Sequence, residues 1–220
     1  MSRFNKFIEW ILRLPILWGG VAGLAFYASL DQGWINSPLL KQYMAGHRVE
    51  YIIGMMFFIG LAALAIRFLE VTGQYASIDN VRLGPISLGG VPVSACDQLT
   101  DELDALAETH PKNYLVRRLR EALEMVRRKD SADAIEQHLR YLEDQDAVRM
   151  NANYALTRII IWAIPILGLL GTVIGITIAI THLKPETLEQ SLSEVTSGLG
   201  VAFDHTGEAL SLTMILMFVK

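Results

Sequence analysis

Apolar residues gather into four stretches of the chain, at about 14–30, about 51–66, 159–180 and about 195–219. A helix that crosses a bilayer needs about 20 mostly apolar residues, with a range of about 17–25. The third and fourth stretches meet that length outright, and the first two need their flanks. Between the second and third lies a polar insert, residues 70–158. Within it Gly84-Pro85, Gly89-Gly90 and Pro92 mark a loop. Ser94 or Asp97 then caps a short helix reaching about Thr109, and Pro111 punctuates. Leu115, Leu119, Ala122 and Val126 recur at helical spacing in a second helix. Ser131 reads as an N-cap, with Asp133 and Glu136 in the first turns. No breaker follows until Pro165, which predicts one very long helix rising into the third apolar stretch. The expected fold is an all-α polytopic membrane protein of about four transmembrane helices with a cytoplasmic helical insert. Its expected parts are 1–69, two spans; 70–158, the insert, an antiparallel helical bundle; and 159–220, a channel-forming helix pair.

Charge sharpens this picture. Of 19 Lys and Arg and 23 Asp and Glu, the insert holds 11 and 15. A uniform globule would not segregate its charge in this way. Near the span ends, Arg3, Lys6, Arg13, Arg67, Arg82, Arg140, Arg149 and Arg158 lie on one side, and Lys41, Arg48 and Lys184 on the other. The bias puts the N-terminus and the insert in the cytoplasm and loops 31–49 and 183–194 outside. A secretory signal at the N-terminus is disfavoured, because Glu9, Trp10 and Arg13 interrupt it and no clean cleavage site follows. The chain ends at Lys220 directly after an apolar run, so a longer natural protein is expected. A net charge of −4 without a dominant basic stripe argues against nucleic acid as a partner. The single cysteine, Cys96, excludes an intrachain disulfide and a multi-Cys zinc site. The five histidines are scattered without metal-ligand spacing, and no nucleotide or hydrolase motif occurs. Neither a catalytic residue, a metal nor a cofactor is therefore expected, and the chain reads as a non-enzyme.

Two spans carry the candidate chemistry. In the third, Gly168, Gly171 and Gly175 form a small face that lets helix backbones approach, with Thr172 among them. Helix packing alone explains such a face, and a buried threonine can bond its own i−4 carbonyl. A mid-membrane hydroxyl can equally line an ion path. In the fourth, Ser197, Asp204, Glu208 and Ser211 share one stripe at 100° per residue, and Thr206 and Thr213 fall nearly opposite. Acids inside a membrane cost about 2.5–3.5 kcal/mol on insertion scales, and they mark functional positions by default. Two ionised carboxylates one turn apart would repel. The stripe therefore reads as a polar seam between subunits or as a proton relay. Thr206 on the opposite stripe, facing a pore, favours the seam.

These segments, PILGLLGTVIGI at 165–176 and TSGLGVAFDHT at 196–206, resemble the MotA/TolQ/ExbB proton-channel family. The detailed likeness spans about 159–217, and the layout of insert and paired spans is similar as well. Two spans before the insert resemble the flagellar-stator arrangement more than the TolQ and ExbB one. The resemblance implies a homo-oligomer of five subunits in a bacterial inner membrane. They would surround a dimeric single-span partner that bears a protonatable aspartate and a peptidoglycan-binding domain. Ion flow, of H⁺ or Na⁺, would drive rotation, with Thr172 and Thr206 lining the path. Departures are Val201, where TolQ and ExbB carry a glutamate, and the additional Asp204 and Glu208. The run GLGVAFD at 198–204 is also similar to ZorA-type subunits of the Zorya anti-phage system. A non-conducting membrane scaffold is the competing reading. A small-molecule transporter fits less well, since no internal repeat is visible.

Overall fold

The computed structural model describes residues 14–78, 92–93, 96–109, 113–181 and 188–220. The expectations for Arg3, Lys6, Arg13, Arg82, Gly84-Pro85, Gly89-Gly90, Ser94, Pro111, His182 and Lys184 lie outside these residues. Among the described residues every regular element is a helix: α1 Pro15–Asp31, α2 Pro38–Ala45, α3 Arg48–Ile78, α4 Cys96–Thr109, α5 Tyr114–Lys129, α6 Ile135–Asn153, α7 Ala155–Thr181 and α8 Leu188–Val219. The chain divides into two units, Met1–Ile66 with Tyr154–Lys220, and Arg67–Asn153.

In the first unit α1 opens on Pro15, whose fixed φ and missing N–H suit a first helical position. Gly33 turns the chain with φ 76 after its end, a value that glycine adopts without steric cost. The expected outer loop is not all loop, because Ser37 accepts from Leu40 N at 3.4 Å and Pro38 begins α2 there. The other expected loop is shortened by the start of α8 at Leu188. Helix α3 carries Glu50 in its first turn, and its Oε2 accepts from Gly46 N at 2.6 Å and His47 N at 2.9 Å. This is the carboxylate half of a capping box, and it satisfies backbone donors that the helix start leaves over.

The shared core joins Ile53, Phe57 and Leu64 of α3 to Ile160 and Ile164 of α7 and Ala209 and Leu216 of α8. A methyl group on Gly19 of α1 would sit 2.3 Å from the Ile59 Cα, so the bare glycine lets those backbones touch. Among the described residues two helical stretches are long and apolar enough to cross a membrane, Arg48–Ala76 at mean hydropathy 2.3 and Ile135–Thr181 at 2.5. Only 33% and 28% of their most apolar windows are buried, too little for core helices of a soluble protein. Ile159, Trp162, Leu169 and Val173 of α7 and Phe203, Met214 and Phe218 of α8 face outward. An apolar surface of that extent needs a lipid or protein cover. The chain is an all-α membrane protein.

In the second unit Asn113 caps α5, accepting from Leu115 N at 2.8 Å and Val116 N at 3.3 Å. Asp130 ends that helix in the left-handed conformation at φ 49. Leu103 of α4, Val116, Ala122 and Val126 of α5 and Leu142 of α6 are buried. Asp97 lies inside the first turn of α4 rather than before it. Ser131 does not cap the next helix. Its hydroxyl accepts from Asp133 N at 3.1 Å and donates to Asp133 Oδ2 at 2.8 Å, and α6 begins only at Ile135. A serine two residues before an aspartate closes a local turn as readily as it starts a helix. The expected long helix runs Ile135–Thr181, with the regular pattern lapsing for one residue at Tyr154, between α6 and α7.

Candidate functional site

Helices α7 and α8 approach through small residues, and that closeness builds the site. A methyl group on Gly168 would sit 2.4 Å from the Ala209 Cβ, and one on Gly175 would sit 2.9 Å from the Ala202 Cβ. On Gly171 it would meet the His205 ring, 2.8 Å from Cγ. The glycine stripe therefore packs on Ala202, His205 and Ala209, which recur on α8 at helical spacing. All three glycines are buried.

This approach brings Thr172 and Thr206 into contact, Oγ1 to Oγ1 at 2.5 Å. Thr172 also reaches Gly168 O at 3.1 Å and Ala202 O at 3.2 Å, and Thr206 lies 3.5 Å from Gly168 O. Each hydroxyl has one proton to donate and two lone pairs. Two hydroxyls and two carbonyls thus form an oxygen cluster of four atoms around two mobile protons, half-buried between apolar helices. It can pass a proton from acceptor to acceptor, or ligate a cation, without a charged side chain. Thr177 and Thr181 are less suited as further ligands. Their hydroxyls donate to Val173 O at 2.8 Å and Ile178 O at 2.9 Å within their own helix.

The acidic stripe is not one environment. Ser197 and Ser211 are exposed, and Asp204 is half-buried and accepts from Gln42 Nε2 of α2 at 2.9 Å. Glu208 is buried, and neither of its oxygens makes a hydrogen bond. Thr213, on the other stripe, is buried with an unpartnered hydroxyl as well. Residues that share one stripe of α8 thus meet different surroundings along its length.

Sequence reasoning missed a second polar group. His47, Glu50 and His205 lie together, with one potential ligand atom from each within 4.8 Å of the others. The two histidines are far apart in the chain, so spacing could not pair them. The available signal was the repeated H-x-x-E, at His47 with Glu50 and His205 with Glu208.

The MotA/TolQ/ExbB proton channel family matches residues 107–220, a stretch that includes α7, α8 and both threonines. No curated protein and no solved structure matches the chain.

Proposed function

Because the chain belongs to the MotA/TolQ/ExbB proton channel family, and is thereby an ion-channel, energy-transducing membrane subunit, we propose that it forms the pentameric ring of an ion-driven motor. The ring encloses a dimeric single-span partner whose membrane aspartate takes and releases the ion, and whose outer domain grips peptidoglycan. The complex sits in a bacterial inner membrane, with four crossings per subunit and with the N-terminus and the insert in the cytoplasm. It moves ions and transmits force, and performs no covalent catalysis.

The oxygen cluster of Thr172 and Thr206 is the observation that supports conduction. A proton leaving the partner's aspartate needs an acceptor that costs little to leave, and a hydroxyl accepts and donates without a stable charge. The run GLGVAFD at 198–204 supports an anti-phage output, for which a plaque assay in a host carrying the chain and its neighbouring genes is the test.

Conduction is tested by reconstituting the chain with its partner and following a pH-gradient-driven flux. Thr172→Val with Thr206→Val should abolish most of the flux in an intact complex, and the Ser variants should keep it. Full flux in the double Val variant would make the pair a packing contact and the chain a scaffold.

A further inference from the structure

We propose that His47, Glu50 and His205 form a binding site for a divalent first-row transition ion of the zinc class, which ties α8 to the start of α3. This is separate from ion conduction through the threonine pair.

The donor set fits such an ion. Imidazole nitrogen and carboxylate oxygen are the usual ligands of zinc, bound at about 2.0–2.2 Å. Two ligands at those lengths on one tetrahedral ion lie roughly 3.2–3.6 Å apart. His205 Nε2 and Glu50 Oε1 stand 3.7 Å apart, too far for a hydrogen bond and close to that separation. The His47 ring meets the His205 ring edge to face at a centroid distance of 5.5 Å. The ligand atoms of all three residues lie within 4.8 Å of one another, and His47 is exposed, so its side chain can turn inward to close the site.

Orphaned polar atoms point to a ligand independently of that spacing. His205 is 2% exposed, and neither of its ring nitrogens makes a hydrogen bond. A buried imidazole left in that state costs desolvation with nothing in return. Glycine at 171 keeps the space that the ring occupies. Glu50 is 1% exposed, and its Oε2 is held by the two backbone N–H groups at the start of α3. The bonds aim Oε1 at His205, the kind of outer support that ligating carboxylates have. One turn along α8 lies the second buried carboxylate, Glu208. Among the described residues neither Glu50 nor Glu208 pairs with a lysine or arginine. A divalent cation would give the buried Glu50 carboxylate a counter-charge. A cleft of about 360 Å³, lined by His47, Gly175, Ser197 and Gly198, opens on the His47 side of the site.

The test uses the full chain, without a polyhistidine tag and stripped with chelator, in lipid nanodiscs. Zinc is titrated by calorimetry, and cobalt by its visible absorption. The expected result is saturable binding of one ion per chain, with a rise in thermal stability on adding zinc. His47→Ala removes an exposed side chain and leaves the fold intact. It should weaken zinc by about tenfold or more, the scale at which even the outer supports of a metal site act, and it should abolish the zinc-dependent thermal shift. His205→Asn should do the same and should change the cobalt spectrum. No saturable binding overturns the proposal, as does equal affinity in native chain and His47→Ala.

Discussion

Helices α7 and α8 meet along residues too small to fill space, whereas α4, α5 and α6 meet through branched side chains with charge pairs at their margins. Between α7 and α8 the contacts are Gly168 with Ala209, Gly171 with His205 and Gly175 with Ala202, backed by a hydroxyl pair. In the insert they are Leu103, Val116, Val126 and Leu142, with Arg120 on Asp104 at 2.9 Å and Arg118 on Asp146. The surroundings explain the difference. In water each buried branched side chain contributes about 1.5–3 kcal/mol, so bulk at the contact is favoured. In lipid the tails are as apolar as leucine, and burial between helices contributes little. Close approach and hydrogen bonds across the contact contribute instead. One chain thus uses two recipes for packing helices, each suited to its solvent.

Gly168→Val gives the strongest test of that contrast. Its first added carbon would stand 2.4 Å from the Ala209 Cβ, so the helices must part. Overpacking of this kind costs about 1–3 kcal/mol, and here it also breaks the threonine contact. The yield of folded protein in the membrane fraction should collapse. Gly207→Ala, on α8 with nothing within 4 Å of an added carbon, should leave it unchanged. Equal behaviour of the two variants would show that the seam is not tight.

In the insert, Arg118→Met comes next in size. The guanidinium pairs with Asp146 and donates to Leu139 O at 2.9 Å, and both charged side chains are largely shielded. Removing it should cost about 1–3 kcal/mol, read as faster proteolysis of the insert with the membrane unit unchanged. Burial, then the Asp146 carboxylate, push the Tyr114 phenol above its ordinary value. Its 2.5 Å bond to Asp146 therefore holds through neutral pH, and its contribution fades only as alkaline pH deprotonates the phenol. An insert that unfolds with the same profile in Tyr114→Phe from neutral to alkaline pH contradicts this.

A smaller effect belongs to the threonine pair as a contact, distinct from its effect on flux. A double-mutant cycle of Thr172→Val and Thr206→Val should show a coupling of about 0.6–1.7 kcal/mol, the range for hydrogen bonds between membrane helices. A coupling near zero would mean that the two hydroxyls do not depend on each other.

The smallest effects lie on the solvated face of α6. Glu136 pairs with Arg140 at 2.8 Å, but both are largely exposed, so Glu136→Ala should change stability by less than about 1 kcal/mol. Reversing Glu143 and Asp144, both exposed, should lower ion throughput slightly in low salt. The decrease should vanish in high salt, because the Debye length falls from about 10 Å at 0.1 M to about 3 Å at 1 M. A decrease that survives high salt would assign these acids a direct part in the ion's route.

The sequence by itself determined the helical class, and it made the glycine stripe and the two threonines visible as positions. Those follow from hydropathy and helical spacing, which are properties of neighbouring residues. Helix starts were legible only where one cap had no competitor. Asn113 was overlooked and Ser131 misled, since a serine hydroxyl bonds whichever backbone N–H comes to hand. Only the tertiary structure decided which polar residues share a space. Glu208 is buried while Ser211, less than a turn away on the same stripe, is exposed, because neighbouring helices cover α8 at one level and not at the other. The meeting of His47 and Glu50 with His205 was likewise settled by packing. The bare face of Gly171 admits the imidazole, and the cap at the start of α3 turns the carboxylate toward it. Residues that far apart in a chain are brought together by the packing of helices, a relation that no local pattern encodes.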